Sequence, residues 1–511
     1  MIRRAWAALC LLLFALPAAA APPARTGSWV FDGAPSYPGV TMMRVERAGA
    51  GVRGEITTRW YGPIAMQNPR LRGDTLTFDA RNLNDNAHPT RRWTARFTPR
   101  GVRLTGDMWY AHVVQDGRRG APAEVAARTF RPAPPLPALG SLPDDGLART
   151  PPMGWSSWNR FAEKIDDATV RAMADAMVSS GLRDAGYVYV NIDDGWQGTR
   201  GPDGELRPNA KFPDMKALAD YVHARGLKLG IYSSPGPKTC AGYEGSYGHV
   251  EQDARTFARW GVDFLKYDLC SGEWFYADAD SVKRTYYQMG AALRATGRPI
   301  VYSLCQYGRF DVADWGRSVG GHLWRTTGDI TDDYKTMSDI GFVRNPQFPH
   351  AGPGGWNDPD MLEVGNGGMS ADEYRTHFTL WAIQAAPLLM GHDLRLTGAS
   401  DAAILENGGA IAIDQDSLGV QGRREASIDG IETWRKPLAG GDVAIAIFNR
   451  TTADRDADVP PGLAAQGGRI IDVWRGRALA ADETRLRVPA HGTVLLRVVA
   501  PGTTDQEGTK R

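Results

Sequence analysis

The 511-residue sequence has little net charge, few cysteines and no apolar run long enough to span a membrane. A net charge of +1 at pH 7 provides no overall basic field, so we expect no nucleic-acid partner. A membrane-spanning helix needs about eighteen or more apolar residues in succession, so we expect no membrane partner either. The sequence predicts no particular oligomeric state.

The four cysteines and nine histidines are scattered, without the CxxC or HxH spacing typical of zinc sites. This argues against a metal-dependent hydrolase. No GxGxxG turn follows a predicted strand, which argues against a dinucleotide-binding domain. We therefore expect neither a metal nor an organic cofactor.

Residues 1–21 are typical of an export signal. Arg3 and Arg4 precede an apolar run over residues 5–16, and small residues follow Pro17. We expect cleavage after this segment and a periplasmic or secreted mature protein. Cys10 is removed with the signal, so three cysteines remain in an oxidising compartment. One disulfide and one buried free thiol is the simplest account of that odd number.

The rest of the chain changes its pattern twice. Residues 22–130 contain short alternating runs punctuated by glycine and proline, which predicts an N-terminal all-β domain. That domain either binds polysaccharide through residues such as Trp60 or Trp109, or has only a structural role. Five prolines make residues 131–150 a Pro-rich, extended linker. Residues 416–500 predict a C-terminal antiparallel β-sandwich, and residues 501–511 a disordered tail.

Between these segments, residues 151–415 repeat one unit four times. A helix-patterned stretch ends in a glycine (Gly181, Gly226, Gly261 or Gly297), and an apolar strand follows. Such alternation predicts parallel strands with right-handed crossovers. A doubly wound open sheet and a closed (β/α)8 TIM barrel both fit this rhythm. A length near the roughly 250 residues typical of a barrel, and the missing GxGxxG turn, favour the barrel.

Polar side chains follow six of the predicted strands, where the active site of a barrel enzyme lies. A single aspartate after a strand is equally well explained as a helix cap. Six strand ends that behave alike favour an active site instead. The residues are Asp193 and Asp194, Tyr232, Lys266 and Asp268, Cys305 and Gln306, Arg325 and Asp329, and Asp358 and Asp360.

Two of these carboxylates are candidates for catalysis. Asp268 and Asp329 follow strands two βα units apart, so they should face each other across the barrel mouth. Glycoside hydrolysis needs one carboxylate to attack the anomeric carbon and a second to protonate the leaving oxygen. Lys266 shares a strand face with Asp268 and should keep it ionised, whereas a nearby negative charge should help Asp329 to hold its proton. A purely structural Lys–Asp pair is the alternative.

The motifs around these residues resemble glycoside hydrolase family 27, the melibiase-type α-galactosidases. The resemblance runs from Thr150 to about Gly422 and continues weakly through the C-terminal domain. It rests on the segments 151–159 (PPMGWSSWN), 191–196 (NIDDGW), 266–270 (KYDLC), 324–330 (WRTTGDI) and 352–361 (GPGGWNDPDM), with shorter matches between them.

The resemblance implies a retaining α-galactosidase with Asp268 as nucleophile and Asp329 as acid/base. It implies that Asp193 and Asp194 bind the 4-hydroxyl and 6-hydroxymethyl groups of galactose. It also implies a Cys240–Cys270 disulfide beside the pocket, with Cys305 as a buried thiol. The further implied sugar contacts are Trp158, Tyr232, Cys240, Lys266, Gln306, Arg325, Asp360 and Met361.

One departure concerns the sugar's 2-hydroxyl. Many family members have Glu-Trp after the fifth-strand cysteine, with the glutamate on this hydroxyl, whereas this chain has Gln306 and Tyr307. Neither is small, which argues against an N-acetylgalactosamine substrate, and the unaltered Asp193 argues against a β-L-arabinopyranoside. Those two glycones, and a non-catalytic sugar-binding protein, remain the alternatives to an enzyme acting on carbohydrate chains with terminal α-galactose.

Overall fold

The computed structural model describes residues 25–32, 39–58, 63–81, 90–108, 111–129, 135–346, 350–460, 463 and 469–501. The predicted export signal, Trp60, Trp109 and residues 502–511 of the predicted tail lie outside these ranges. The chain divides into two compact units, residues 1–131 and 132–511. No helix in the described part of the chain combines the length and the apolar character needed to cross a membrane.

The first unit contains one nine-stranded antiparallel sheet with strand order β4-β3-β2-β1-β9-β8-β7-β6-β5. In β6 the buried side chains of Leu76, Phe78 and Ala80 alternate with polar ones, as in any strand with one covered face. Met66, between β4 and β5, donates its backbone N–H to Gly54 of β3 at 2.8 Å. The elements are β1 (Gly27–Val30), β2 (Val40–Ala48), β3 (Gly51–Thr58), β4 (Pro63–Ala65), β5 (Gln67–Arg72), β6 (Thr75–Arg81), β7 (Thr90–Thr98), β8 (Gly101–Met108), β9 (Ala111–Arg119) and the short helix α1 (Pro122–Ala127).

The second unit begins with an eight-stranded parallel sheet that curls into a TIM barrel. Its strand order is β18-β17-β16-β15-β14-β11-β10-β19, and Leu362 closes the ring by bridging to Met390 of β19. The closed ring decides against the open doubly wound sheet. The barrel strands are β10 (Met153–Ser156), β11 (Tyr189–Asn191), β14 (Lys228–Ser233), β15 (Phe264–Asp268), β16 (Val301–Cys305), β17 (Leu323–Arg325), β18 (Trp356–Asp358) and β19 (Leu388–Met390), with a hairpin of β12 (Gln197–Arg200) and β13 (Leu206–Pro208) between the second and third.

The four predicted helix–glycine–strand units are present. Gly181, Gly226, Gly261 and Gly297 all have positive φ, between 70° and 91°, which glycine adopts without a Cβ clash. The helices are α2 (Trp158–Phe161), α3 (Asp167–Ser179), α4 (Met215–His223), α5 (Val250–Trp260), α6 (Ala279–Ala295), α7 (Val312–Trp315), α8 (Tyr334–Ser338), α9 (Ala371–Ile383), α10 (Ala399–Leu405) and α11 (Gly408–Asp414).

The segment before the barrel is not a free spacer where the structure describes it. Residues 135–150 contain neither helix nor strand. Leu142 donates its backbone N–H to Ser318 at 2.8 Å. Asp145 contacts His322 at 2.9 Å and Arg294 at 3.0 Å. These contacts attach the segment to the barrel.

The C-terminal part is an antiparallel β-sandwich of a six-stranded and a two-stranded sheet. Ile445, Ile447, Leu486 and Val488 are buried in its core. It packs on α9, where the Trp474 indole donates to the Thr379 hydroxyl at 3.0 Å. The strands are β20 (Arg423–Ile428), β21 (Ile431–Pro437), β22 (Val443–Asn449), β23 (Arg455–Asp458), β24 (Arg469–Asp472), β25 (Arg477–Ala478), β26 (Arg485–Val488) and β27 (Thr493–Val499).

Lys436 of β21 is fully buried where the sandwich meets the barrel. Its ammonium donates to the backbone carbonyls of Ala382 at 3.1 Å and Ile413 at 2.5 Å. Burial lowers the pKa of Lys436, although the neighbouring Asp414 carboxyl acts in the opposite direction. Lys436 therefore ties the last barrel helices to the sandwich.

We expect Lys436→Met to lower the free energy of unfolding by about 3–5 kcal/mol, because it leaves buried polar groups without their partner. Chemical denaturation measures this difference. Lys335→Met is the matched control, since Lys335 is exposed. Equal stability of the two variants would contradict the assignment.

Candidate active site

A pocket of about 370 Å³ opens at the carboxyl ends of the barrel strands. Eleven of the twelve predicted catalytic and sugar-binding residues line it, and Asn159 and Tyr307 complete the lining. The predicted members of the lining are Trp158, Asp193, Asp194, Tyr232, Cys240, Lys266, Asp268, Arg325, Asp329, Asp360 and Met361.

Asp268 ends β15 and is 3% exposed. One of its oxygens accepts hydrogen bonds from the Tyr307 hydroxyl and the Leu269 backbone N–H, both at 2.7 Å. The other accepts from the Tyr232 hydroxyl at 3.0 Å. Burial raises the pKa of Asp268, and the Lys266 ammonium and the Tyr307 hydrogen bond oppose that rise. The carboxylate is therefore oriented by three donors.

The direct ion-pair partner of Lys266 is Asp193 at 2.7 Å, not Asp268. Asp193 follows β11, which is separated from β15 by β14 alone. Lys266 still acts on Asp268 through its charge, which lowers the pKa of that carboxyl. The strand alternation placed Lys266 on the correct face but did not identify its partner.

The paired aspartates after β11 are buried and held by backbone donors. Asp193 accepts from the Asp194 N–H at 2.8 Å, and Asp194 accepts from the Ala241 N–H at 2.7 Å. Burial, with the nearby carboxylates of Asp193 and Asp268, raises the pKa of Asp194 to about 7. The pocket thus presents one carboxyl group paired with Lys266 and a second, Asp194, whose pKa burial raises.

Arg325 ends β17 and holds two acidic side chains. Its guanidinium lies 3.0 Å from Asp329 and 3.0 Å from Asp360, and it is 2% exposed, whereas Asp329 is 64% exposed. Desolvation by the surrounding pocket residues favours a raised pKa for Asp329, but its side chain is largely exposed, and the charges of Arg325 and Lys266 hold that pKa below its ordinary value. These two cations act against the effect expected of a nearby carboxylate, which favours the protonated form of Asp329.

The predicted Cys240–Cys270 disulfide is present, with 5.0 Å between the Cα atoms. The Tyr307 hydroxyl lies 3.8 Å from the Cys240 sulfur and 3.7 Å from the Cys270 sulfur. Cys305 is a buried free thiol, as predicted. The disulfide therefore lies beside Tyr307, which donates a hydrogen bond to Asp268.

Gln306, which the resemblance places in contact with the sugar, is not among the residues that line this pocket. It is fully buried, and its amide oxygen and nitrogen have no hydrogen-bond partner among the described residues. Tyr307 takes the place on the pocket wall instead. Its φ of 63° and the φ of 76° at Gly308 turn the chain sharply, so the alternation of β16 does not continue. The glycine after Tyr307 was the only sequence signal of this turn.

We expect Tyr307→Phe to lower the kcat/KM of the expected glycoside hydrolysis by about 10–100-fold. This is the usual effect of losing a hydrogen bond to a charged group. The Tyr307 hydroxyl lowers the pKa of Asp268. Its loss raises that pKa, so the acid limb of the kcat/KM profile should move to higher pH. Tyr243→Phe is the matched control, because it removes a tyrosine hydroxyl that contacts Glu163 at 3.1 Å and not Asp268. An acid limb that stays in place would contradict this role.

Two family models match the chain. Residues 150–416 match Melibiase_2, described as alpha galactosidase A. Residues 429–498 match Melibiase_C, described as the alpha galactosidase C-terminal beta sandwich domain. The first match contains every residue of the pocket.

Curated and solved relatives agree with these models. The chain is 50% identical over 360 residues to the alpha-galactosidase of Cyamopsis tetragonoloba, covering 68% of this chain and 86% of that one. The crystal structure of alpha-galactosidase I from Mortierella vinacea superposes with a TM-score of 0.66 at 33% identity, over 71% of this chain and 100% of that one. The structure of the Saccharomyces cerevisiae enzyme with raffinose gives a TM-score of 0.65 at 30% identity, over 70% and 100%.

Proposed function

The chain belongs to glycoside hydrolase family 27, the melibiase-type α-galactosidases, and from that membership we infer that it releases terminal α-linked galactose from oligo- or polysaccharides. The observation that carries this inference is the presence of Asp268 and Asp329 in one pocket, whose lining includes nine further residues of the predicted set. Raffinose, seen in the S. cerevisiae relative, belongs to the class of substrate that we propose.

The reaction proposed is a double displacement with retention. Asp268 attacks the anomeric carbon while Asp329 protonates the leaving oxygen, and a covalent galactosyl-aspartate forms. In the second step a water molecule attacks the anomeric carbon while Asp329 accepts its proton. The bond between that carbon and Asp268 breaks, which releases galactose and restores both carboxyl groups. The tyrosine donors on Asp268 orient the attacking carboxylate, and the exposure of Asp329 leaves room for the leaving group and then for water.

Asp329 must carry a proton for the first step, although Arg325 and Lys266 favour its ionised form. A bound sugar would exclude water from the pocket, and desolvation favours the neutral carboxyl. When the ester forms, Asp268 would lose its negative charge. Its repulsion of a negative charge on Asp329 would then end, which lowers the pKa of Asp329. The proton affinity of Asp329 therefore falls as its role changes from acid to base.

Selectivity for galactose would come from the polar floor of the pocket. Asp193, Asp194 and Lys266 form one connected group that fits the 4-hydroxyl and 6-hydroxymethyl. Buried groups that bind a hydroxyl can reject an analogue lacking it by about 10⁴–10⁵-fold. Near the 2-position of the bound sugar, the Tyr307 ring would fill the space that the acetamide of N-acetylgalactosamine needs.

Three aryl glycosides test this assignment: the α-galactoside, the α-N-acetylgalactosaminide and the β-L-arabinopyranoside. We expect the α-galactoside to have the largest kcat/KM, and the first sugar product to be α-galactose by NMR. Dominant cleavage of either other glycoside would overturn the galactose assignment, and a β product would overturn retention. Absence of turnover on all three would favour the non-catalytic sugar-binding protein.

We also propose the domain order and location that the sequence predicts. A signal over residues 1–21 would direct the chain to the periplasm or the medium, followed by an N-terminal β domain (22–130), a linker (131–150), the barrel (151–415), the sandwich (416–500) and a short tail. The Cys240–Cys270 disulfide suits an oxidising compartment. Mass spectrometry of the protein from a periplasmic extract and from the medium would locate the mature N-terminus.

A further inference from the structure

The charge of this protein is unevenly distributed along the chain. Residues 22–131 contain seventeen arginines, no lysine and nine acidic residues, a net charge of +8. Residues 132–511 contain 40 basic and 49 acidic residues, a net charge of −9. The whole-chain value of +1 conceals this separation, so it does not exclude a basic field on the first unit.

Several of these arginines converge on one open hollow of the first unit, which we call the arginine hollow. It lies between the turn that joins β2 to β3 and the strand β5, and Arg25, Arg47, Arg70 and Arg72 line it. Arg70 and Arg72 are two residues apart on β5, so both point to the same face of the sheet. The hollow thus collects positive charge from three separate segments of the chain.

Several arginines of the first unit have a carboxylate partner, but three in the hollow have none among the described residues. Arg25 is paired with Asp74 at 2.8 Å. Arg53 is paired with Glu46, Arg92 with Asp79 and Arg118 with Glu124. Arg47, Arg70 and Arg72 are exposed, and the described residues place no acidic group within ion-pair distance of them.

The sheet register extends this basic surface. Arg72 of β5 is opposite Thr75 of β6, which is opposite Arg96 of β7, and Arg96 is opposite Arg103 of β8. Like charges directly opposite on neighbouring strands are destabilising. Arg103 is paired with Asp116 of β9 at 2.7 Å, which offsets part of that repulsion, and an anion bound beside Arg72 and Arg96 would offset more of it.

We propose that the arginine hollow binds an anionic polysaccharide through carboxylate or sulfate groups on its sugars. Arginine presents a planar fork that matches such groups with paired hydrogen bonds, and it stays charged at any physiological pH. A catalytic unit of net charge −9 repels a polyanion by itself, so a separate basic unit is needed to retain one. The proposal rests on the proposed function in one respect, that the retained polymer carries α-galactose.

The test compares two triple variants of the full chain by affinity electrophoresis in polygalacturonate and, separately, in a sulfated galactan. Arg47→Gln/Arg70→Gln/Arg72→Gln should lose about tenfold or more in affinity for whichever polymer carries the recognised group. Arg53→Gln/Arg92→Gln/Arg118→Gln removes the same charge from paired arginines and should lose much less. Salt should weaken wild-type binding, and neutral galactomannan should not retard the chain through this surface.

Equal losses in both triple variants would reduce the effect to net charge and overturn the proposal. If double-stranded DNA slows the wild-type chain in electrophoresis as strongly as both polysaccharides do, the proposal that the partner is a polysaccharide is wrong. No binding to either anionic polymer would overturn it entirely. Hydrolysis of the aryl α-galactoside, measured on the same samples, should be equal in all three proteins. That activity reports separately on the proposed function and on correct folding.

Discussion

Asp268→Ala is expected to lower kcat for an aryl α-galactoside by about 10⁴–10⁶-fold, as loss of a nucleophile does in other covalent enzymes. Without this carboxylate no galactosyl-enzyme can form, and no other acidic group among the described residues occupies its place between the hydroxyls of Tyr232 and Tyr307. The pocket's other carboxyls have their own partners: Asp193 binds Lys266, and Asp360 binds Arg325. Stopped assays with purified protein measure the residual rate.

Two controls separate chemistry from folding in this variant. The melting temperature of Asp268→Ala should stay within a few degrees of the wild type, since loss of the hydrogen bonds is offset by removal of a buried, desolvated carboxyl group. Galactose should still protect the fold. Azide, a small nucleophile, should restore part of the turnover and yield the β-galactosyl azide. Wild-type-like hydrolysis by a stably folded Asp268→Ala would remove Asp268 from the mechanism.

Asp329→Ala is expected to have an effect that depends on the leaving group. For an alkyl or sugar leaving group, loss of the general acid should lower kcat/KM by about 10²–10⁴-fold. For a nitrophenyl group, which leaves without a proton, the loss should be much smaller, and the galactosyl-enzyme should accumulate because no base activates water. Intact-protein mass spectrometry detects that ester as the mass of one bound hexosyl group.

The pH profile provides a second readout for the same residue. The alkaline limb of kcat/KM should disappear in Asp329→Ala, because that limb reports loss of the acid's proton. Asp329→Asn is the matched control, since it keeps the side-chain volume and a hydrogen bond to Arg325. Equal losses for nitrophenyl and sugar leaving groups would show that Asp329 is not the proton donor.

The sequence alone was sufficient for the elements that depend on local rules. The glycines that end α3, α4, α5 and α6 are needed where the backbone turns to positive φ, so their spacing in the chain is enough to mark four barrel units. Parallel strands bring their carboxyl ends to one rim, which is why Asp193, Asp268 and Asp329 could be grouped from spacing. The family motifs then implied their roles and the Cys240–Cys270 pairing.

The sequence alone could not decide the partners of the charged groups. Strand alternation fixes which face a side chain occupies, but the Lys266–Asp193 pair joins β15 to the end of β11, two positions along the sheet. Likewise, the low pKa of Asp329 depends on guanidinium and ammonium groups that different strands bring together. Net charge summed over the chain also conceals how charge is distributed, since residues 22–131 carry +8 and residues 132–511 carry −9.

The pocket wall shows most directly what the sequence alone could not predict, because Tyr307 lines it and Gln306 does not. Both residues follow β16, and the local sequence pattern does not distinguish which of them lines the pocket. The backbone turn at Tyr307 and Gly308, with positive φ at both, buries the amide and directs the phenol to Asp268. Composition, patterning and motifs thus predicted the barrel and the two carboxylates that we propose as catalytic. Which groups donate to those carboxylates was decided only by the tertiary structure, because hydrogen bonds depend on distances that neither spacing nor alternation determines.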